Sequence, residues 1–319
     1  MKAFRVTRTG QAPDMAEIDR PEPGPGQIRV RIAACGLNFA DLLMIKGEYQ
    51  DTPAPPFTLG MEVSGVVEAL GEGVTLPALG TRVAVFAGQG GLAEHGVFEA
   101  ARAVPIPDAM PFDQAAGFLV AYGTSHLALT HRAGLQPGER LLVLGAAGGV
   151  GLTAVELGAG MGAEVIAVAR GADKLAVARD AGAPHTLDSD TDDIRMAVKA
   201  LGGADVVYDA VGGAAFDAAL RATRPEGRIL TIGFASGTVP QIPANLLLVK
   251  NISVMGLYWG GYLKFAPDVL TASLSELMAL YAAGRIKPHV GATYPLDRAA
   301  EALDLLRSRQ STGKVVVTM

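Results

Sequence analysis

Apolar and polar positions alternate differently in the two halves of the chain. From Met1 to about Val120, apolar residues fall in short runs between Gly- and Pro-rich turns, which predicts a small β-barrel or rolled sheet. Helical periodicity in this half is limited to 38–45 and 111–130, and the second stretch is expected to contain the hinge into a second domain. The predicted strands are Lys2 to Thr7, Ile28 to Ala34, Val63 to Leu70 and Arg82 to Ala87.

From Glu139 onwards, strand and helix patterns alternate, which predicts a parallel sheet with helices on both faces. A later apolar strand, Ile252 to Leu257, follows a loop that carries Pro240 and Pro243 and could extend this sheet at its edge. Such an edge favours pairing with a second copy, so we expect a homodimer through it. The predicted strands are 141–145, 164–169, 185–187, 205–210 and 227–233, and the predicted helices are 149–161, 172–181, 192–201 and 214–223.

The last part of the chain predicts two further helices, 270–283 and 297–309, and two strands, 292–295 and 314–318. Two strands do not form a barrel alone, so we expect this tail to return to the first domain. The expected division is therefore 1–120 together with 259–319 for a β-rich domain, and 121–258 for a domain with a parallel sheet.

Composition narrows the class of protein. The 319 residues are 50% hydrophobic and 18% charged, as in a globular chain long enough for two domains. A net charge of −5 gives no reason to expect a nucleic acid or an anionic membrane as partner, and the single cysteine, Cys35, excludes an intramolecular disulfide. No apolar run reaches the ~18 residues of a membrane span and no signal-peptide pattern precedes the first strand, so a cytoplasmic location is expected.

The strongest candidate for binding chemistry is the turn Ala146-Ala147-Gly148-Gly149-Val150-Gly151, which follows a predicted strand and opens a predicted helix. Read as Ala146-x-Gly148-x-x-Gly151, it is the G-x-G-x-x-G dinucleotide fingerprint with Ala in the first place. Residues without a Cβ let the backbone bend and let a pyrophosphate approach, while the helix N-terminus offers N–H groups to phosphates. The alternative is a glycine-rich turn that binds no ligand.

The end of the next predicted strand bears on the choice of nicotinamide cofactor. A carboxylate there would bind the ribose 2′-hydroxyl of NADH, but the sequence reads Val168-Ala169-Arg170-Gly171, with no carboxylate before Asp173. Arg170 and Lys174 instead offer cations to the 2′-phosphate of NADPH. The alternative is that both are solvated side chains at the start of a helix.

Besides the glycine-rich turn, recognisable motifs lie along essentially the whole chain: Gly36-Leu-Asn-Phe-Ala-Asp41, Lys46-Gly-Glu-Tyr-Gln50, Gly60-Met-Glu62, Val211-Gly-Gly213, Gly233-Phe-Ala-Ser-Gly237, Asn245-Leu-Leu-Leu-Val-Lys250, Tyr258-Trp-Gly260 and Thr312-Gly-Lys-Val-Val316. Together they resemble the medium-chain dehydrogenase/reductase superfamily and, within it, the zinc-free NADPH:quinone oxidoreductases. The resemblance implies an α/β protein with a GroES-like β-rich catalytic domain, a Rossmann doubly wound parallel-sheet domain, a cofactor in the cleft between them, and a homodimer.

The resemblance also implies catalytic residues. Asn38 would be an orienting donor beside the nicotinamide and the active-site water, with Asp41 as its neighbour on the same helical turn. Tyr49 would donate to the carbonyl of the acceptor or pack against the quinone. Helix capping by Asn38 and ordinary loop packing by Tyr49 are the alternatives.

Cofactor contacts are implied at positions scattered between Thr124 and Lys314. In many members of the family a Tyr stands at the place of Ser189, where it stacks by the adenosine 2′-phosphate, and two nearby carboxylates make this edge less cationic here. A helix-start role for Thr124 and a surface position for Lys314 are the alternatives at those two residues. The implied contacts are Thr124, Ser189, Val211, Gly233, Phe234, Asn245, Leu257, Tyr258 and Lys314.

A catalytic zinc ion is not expected. Zinc-dependent members of the superfamily carry Cys at the position of Asn38 and a His-Glu pair where this chain has Met61-Glu62, and most also carry a four-Cys lobe. Asn and Met are poor zinc ligands, and a catalytic site needs three protein ligands. Without a Lewis acid to stabilise an alkoxide, reduction of a conjugated acceptor is favoured over alcohol oxidation.

Three functions stay open at this point. The first is an NADPH-dependent quinone oxidoreductase that transfers a hydride from nicotinamide C4 to the quinone. The second is a reductase of α,β-unsaturated carbonyl or acyl-CoA substrates. The third is a nucleotide-binding protein with little turnover, since the fold alone does not determine function.

Overall fold

The computed structural model describes all residues from 1 to 319, and they form two compact units. The first unit comprises Met1–Val120 and Pro288–Met319, and the second comprises Ala121–Lys287. The return to the first unit begins at Pro288 and not at residue 259, so the predicted second boundary is wrong. The residues between belong to the second unit because Trp259 packs on Gly123 and because Ser273 Oγ lies 2.8 Å from Nδ1 of His126.

The chain contains sixteen strands and eleven α-helices. The strands are β1 (Lys2–Val6), β2 (Asp14–Glu17), β3 (Gln27–Gly36), β4 (Phe57–Thr58), β5 (Glu62–Leu70), β6 (Arg82–Phe86), β7 (His95–Glu99), β8 (Ala103–Pro105), β9 (Arg140–Leu144), β10 (Glu164–Ala169), β11 (His185–Asp188), β12 (Ala204–Asp209), β13 (Thr223–Thr231), β14 (Ser253–Gly256), β15 (Val290–Pro295) and β16 (Lys314–Thr318). The helices are α1 (Phe39–Lys46), α2 (Phe112–Ala116), α3 (Leu119–His126), α4 (Gly149–Gly160), α5 (Ala172–Asp180), α6 (Ile194–Ala200), α7 (Gly213–Ala222), α8 (Ala244–Lys250), α9 (Tyr262–Phe265), α10 (Pro267–Ala282) and α11 (Ala299–Arg307).

The first unit is built around the long strand β3, which pairs antiparallel with β5, β7 and β16. Its larger sheet has the order β15-β16-β3-β5-β6-β8, and a smaller sheet has the order β2-β1-β4. The terminal strand β16 is inserted beside β3, where Val317 lies opposite Cys35. Apolar residues of both sheets, of α1 and of α11 share one core.

Two features of the first half differ from the sequence prediction. The short strands β2, β4, β7 and β8 were not predicted. The stretch 111–130, predicted as one helix, is divided into α2 and α3, because α2 ends at Gly117. At its other end α3 continues into a π-helical turn over Leu127–Arg132.

The second unit contains a six-stranded sheet whose strands are all parallel, which confirms the predicted α/β class. Its strand order is β11-β10-β9-β12-β13-β14, the order typical of dinucleotide-binding domains, with the topological switch point between β9 and β12. Ile166, Leu142, Val207 and Ile229 lie on four neighbouring strands, are completely buried and belong to one core cluster. Helix α8 was not predicted; it begins after Pro243, which takes the N-cap position.

None of the helices is both long enough and apolar enough to span a lipid bilayer.

Candidate functional site

The glycine-rich turn joins β9 to α4 with a tightly closed backbone. Gly145 has φ = +73°, a conformation that favours glycine. A Cβ on Gly151 would lie 2.1 Å from the carbonyl oxygen of Gly145, so no side chain fits at that position. A Cβ on Gly148, which has φ = −79°, would come no closer than 3.4 Å to the same oxygen. The protein itself therefore requires glycine at 145 and 151, whereas at 148 it leaves space.

This space lies at the N-terminus of α4, where the first N–H groups of Gly149, Val150 and Gly151 have no acceptor within the helix. The helix dipole adds a partial positive charge there. Ala146 and Ala147 are buried, so their side chains do not contribute to a binding surface. The backbone N–H of Ala146 already donates to the carbonyl of Val168. The turn fits a pyrophosphate held by backbone N–H groups.

The carboxyl ends of all six parallel strands meet at one edge of the sheet, and most of the predicted cofactor residues follow directly after these ends. Thr124 lies inside α3 and is 7% exposed, so the alternative of a helix-start residue is wrong. Its neighbour Ser125 donates from Oγ to the carbonyl of Val150 at 2.8 Å, which ties α3 to the first turn of α4. Asn245 is exposed on α8. The residues that follow the strand ends are Arg170 after β10, Ser189 after β11, Val211 after β12, Gly233 and Phe234 after β13, and Leu257 and Tyr258 after β14.

Asp209 organises two of these loops and was missed by the sequence analysis. It is fully buried at the end of β12, and its Oδ1 accepts N–H groups of Val211 at 2.8 Å and Gly212 at 2.9 Å. Its carbonyl oxygen accepts the N–H of Ile232 at the end of β13. Burial raises the pKa of this carboxyl, while the two N–H groups act in the opposite direction. A carboxylate at the last position of an apolar strand is the signal that could have identified it.

The cations predicted for a 2′-phosphate lie together at the end of β10. Burial and the neighbouring Arg170 guanidinium both lower the pKa of Lys174, which is half-buried. Arg170 Nε is 3.2 Å from Oδ1 of Asp190, a partner that was not predicted, and both side chains are more than half exposed. Ser189 N–H donates to the carbonyl of Ala169, which holds the end of β11 beside the end of β10.

A second polar group is buried in the first unit, where α1, β5 and β16 meet. Lys314 is 7% exposed, so the alternative of a surface lysine is wrong. Its Nζ lies 2.8 Å from Glu62 Oε1 and 2.8 Å from Asn38 Oδ1. Glu62 was not predicted as a site residue, although it stands in the quoted Gly60-Met-Glu62 motif.

Asp41 is fully buried, which corrects the expectation that it takes part in catalysis directly. Its Oδ2 accepts the backbone N–H of Asn38 at 2.7 Å, so the carboxyl stabilises the start of α1. Burial raises the pKa of Asp41 to about 7, opposed by the Asn38 N–H and the Lys314 charge and assisted by Glu62. The group therefore acts on the position of Asn38 and has no surface for a ligand.

Asn38 stands at the N-cap position of α1, and its side chain forms hydrogen bonds with the charged groups of Glu62 and Lys314. Both amide hydrogens already donate, to Glu62 Oε1 at 3.0 Å and to the carbonyl of Gly36 at 3.3 Å. The predicted role of an orienting donor is thus corrected, because neither amide hydrogen is free. Tyr49 follows α1 and packs against the core of the first unit.

No group of three or more His, Cys, Asp or Glu side chains is arranged to hold a metal ion.

The sequence and the fold of this chain both match those of known proteins. The model for the alcohol dehydrogenase GroES-like domain matches residues 24–108, and the zinc-binding dehydrogenase model matches residues 149–279. A quinone oxidoreductase-like protein 2 homolog from Nematostella vectensis is 43% identical over 299 residues, covering 92% of this chain and 82% of the relative. The quinone oxidoreductase of Thermus thermophilus, solved also with NADPH, is 34% identical with a TM-score of 0.89, and both chains are covered completely. The Escherichia coli quinone oxidoreductase complexed with NADPH is 29% identical with a TM-score of 0.92, again over both whole chains.

Proposed function

Because this chain belongs to the quinone oxidoreductase-like family of the medium-chain dehydrogenase/reductase superfamily, we propose that it is an NADPH-dependent oxidoreductase that reduces a quinone without zinc. The observation that supports this most directly is the meeting of the glycine-rich turn with Arg170 and Lys174 at the carboxyl edge of one parallel sheet. This edge offers N–H groups to a pyrophosphate and cations to a further phosphate. Bound NADPH supplies a hydride at its nicotinamide C4.

The residues of this chain bind and orient the cofactor, and they exclude water from it. The N–H groups of Gly149, Val150 and Gly151 hold the pyrophosphate, and Arg170, Lys174 and Ser189 hold the 2′-phosphate. Asp209 fixes the loop that carries Val211. Further cofactor contacts are proposed for Thr124, Gly233, Phe234, Asn245, Leu257 and Tyr258.

Zinc independence is proposed from the chemistry of the donor groups. Where zinc-dependent relatives would place ligands, Asn38 and Glu62 already bind a cation, the Lys314 ammonium. The neighbouring Met61 is buried and offers only a thioether. A quinone spreads the incoming negative charge over its own π-system, so its reduction does not require a Lewis acid.

The test is oxidation of NADPH and of NADH by the purified, metal-stripped protein with a benzoquinone, a naphthoquinone and a simple enone. Rapid oxidation of NADPH by a quinone, unaffected by a chelator, is the expected result. Turnover with the enone alone would replace the proposal by an ene-reductase. Binding of NADPH without any turnover would replace it by a non-catalytic NADPH-binding protein.

We also propose a homodimer through the edge strand β14. This strand has a neighbour on one side only, and the adjoining helix α8 exposes 77% of Leu248 and 66% of Val249. Light scattering should give twice the chain mass of 32.8 kDa for the wild type. The Leu248→Asp/Val249→Asp variant is expected to be monomeric, and an unchanged mass would exclude this surface.

A further inference from the structure

Three hydroxyl groups are buried together beside the glycine-rich turn. They belong to Ser125 on α3, Thr153 on α4 and Tyr208 on β12, all in the second unit. All three residues are buried, and Ser125 and Tyr208 are completely inaccessible to solvent. Ser125 Oγ lies 2.8 Å from Thr153 Oγ1 and 2.9 Å from the Tyr208 hydroxyl. Because a buried hydroxyl is costly unless it is hydrogen-bonded, the direction of these bonds determines what the cluster does.

The direction follows from counting hydrogens. The Tyr208 hydroxyl has one hydrogen-bond partner, Ser125 Oγ, so its hydrogen is donated to Ser125. Burial raises the pKa of Tyr208, against the opposing effect of the Ser125 bond, so the hydroxyl keeps this hydrogen at neutral pH. Ser125 must then donate its own hydrogen elsewhere, and its Oγ lies 2.8 Å from the carbonyl oxygen of Val150. The hydrogen bonds therefore run from β12 through α3 to the first turn of α4.

Thr153 approaches the same carbonyl from within α4. Its Oγ1 lies 3.0 Å from the carbonyl oxygen of Val150 and 3.1 Å from that of Ala121. If Ser125 donates to Thr153 instead, the hydrogen of Thr153 still reaches the Val150 carbonyl. Both arrangements therefore give this carbonyl a side-chain donor, in addition to the backbone N–H that a helical carbonyl accepts.

The carbonyl of Val150 belongs to the same planar peptide group as the N–H of Gly151. A hydrogen bond to the carbonyl oxygen fixes the orientation of this plane. It also polarises the peptide and strengthens its N–H as a donor, by about 10–30% per bond. The Gly151 N–H is one of the three groups in the first turn of α4 that have no acceptor within the helix. The buried hydroxyls thus act on a backbone donor that faces the proposed pyrophosphate site.

We propose that Tyr208, Ser125 and Thr153 are positioning residues that orient and polarise the Gly151 N–H for a pyrophosphate. This inference rests on the proposed function, in which the glycine-rich turn binds NADPH. It assigns part of the binding free energy to a hydroxyl on β12 that is completely buried and has no surface for a ligand. The group that benefits is a diphosphate ester, so ligands without a pyrophosphate should not depend on the three hydroxyls.

The test is calorimetric titration of the variant Ser125→Ala/Thr153→Val/Tyr208→Phe with two ligands. The three substitutions preserve most of the side-chain volume and leave no hydroxyl without its partner. The dissociation constant of NADPH should rise about 3- to 10-fold, the range expected for one weakened hydrogen bond. That of adenosine 2′-monophosphate, which has the 2′-phosphate but no pyrophosphate, should stay unchanged. In initial-rate kinetics the KM for NADPH should rise while kcat stays unchanged.

Two further variants keep the test independent of stability. Thr223→Val is the matched control, because Thr223 is also a buried hydroxyl residue of the second unit and its Oγ1 donates to the carbonyl of Ala219 at 2.8 Å. It should lower stability and leave both dissociation constants unchanged. Should the triple variant fail to fold, Ser125→Cys replaces it, because a thiol has a similar volume but is only a weak donor. The same selective loss of NADPH binding is then expected.

The outcomes separate this inference from the proposed function. Equal losses for NADPH and adenosine 2′-monophosphate would show that the hydroxyls only maintain the structure of the unit, and the inference would fail. Unchanged NADPH binding in the variant would overturn it as well. If the wild type binds NADPH but reduces no quinone, the proposed function fails and the inference is still tested by the dissociation constants. If the wild type does not bind NADPH, both fail.

Discussion

The Tyr122 hydroxyl donates a 2.5 Å hydrogen bond to Oε2 of Glu156, and Oε1 of the same carboxylate accepts the backbone N–H of Lys287 at 2.7 Å. Tyr122 is the second residue of the second unit, and Lys287 is its last. One carboxylate on α4 therefore fastens both ends of this unit to the helix that follows the glycine-rich turn. Burial raises the pKa of Glu156, and burial followed by the Glu156 charge raises the pKa of Tyr122.

Tyr122→Phe should lower the free energy of unfolding by about 1–3 kcal/mol, because it leaves a mostly buried carboxylate oxygen without its donor. The measurement is urea denaturation at neutral pH. Tyr294→Phe, which removes a hydroxyl from the first unit, is the control and should change the unfolding free energy by less than about 0.5 kcal/mol. Equal effects of the two substitutions would show that the Glu156 contact does not contribute.

The glycine-rich turn predicts an effect on stability for one Gly→Ala substitution and an effect on cofactor binding for another. Gly151→Ala places a methyl group 2.1 Å from the Gly145 carbonyl oxygen and should destabilise the fold by several kcal/mol. Gly148→Ala meets no protein atom closer than 3.4 Å and should fold normally. It should nevertheless weaken NADPH binding at least 10-fold, because the methyl group occupies the place of the pyrophosphate. Melting temperature and calorimetric titration separate the two effects, and normal binding by Gly148→Ala would exclude the turn as the pyrophosphate site.

The two cations at the end of β10 are expected to determine the preference for NADPH over NADH. Arg170→Ala together with Lys174→Ala should raise the KM for NADPH by about 10- to 100-fold and leave the KM for NADH unchanged.

Asp190→Asn should have the reverse effect, since it releases Arg170 for the 2′-phosphate. The pair is more than half exposed, so the expected gain for NADPH is only about 2- to 5-fold. Initial-rate kinetics with both cofactors check these two results together, and parallel changes for NADPH and NADH would refute the assignment of the 2′-phosphate site.

Asp41 predicts a pH dependence of stability. Its pKa of about 7 in the folded protein lies above the 3.8 of an unperturbed Asp, so the folded state binds the proton more tightly than the unfolded chain. The stability that this proton contributes is complete below about pH 4 and is lost as the pH rises to about 7. Relative to Asp41→Asn, the wild type should lose up to roughly 1.4 kcal/mol per pH unit over this interval. Urea denaturation of both proteins from pH 4 to pH 8 measures the difference, and a constant difference would show that Asp41 is ionised throughout.

The parallel sheet of the second unit could be predicted because each strand and helix is long enough to show its own periodicity, and because the glycines mark the first turn. The short strands β2, β4, β7 and β8 lack that length. Their formation depends on pairing with β1, β3 and β6, and the partners of β4 and β7 lie more than 50 residues away in the sequence. Helix α8 was missed because the prolines before it read as a loop, although Pro243 serves as its N-cap residue.

The candidate site was predictable where it follows strand ends and not where it depends on distant partners. Arg170 and Phe234 were predicted from their positions after strands of the parallel sheet. The burial of Lys314 depends on Glu62, which lies 252 positions earlier in the sequence and is adjacent only after β16 has joined the sheet of β3. The pairing of Arg170 with Asp190 likewise depends on the parallel register of β10 and β11.

The packing of Trp259 on Gly123 gives the protein an internal optical reporter. It is the only tryptophan in the chain, it is 5% exposed, and it belongs to the second unit. Tryptophan emission therefore follows the unfolding of that unit alone, whereas circular dichroism follows both. A difference between the two denaturation curves would show directly whether the β-rich unit and the nucleotide-binding unit unfold together or one after the other.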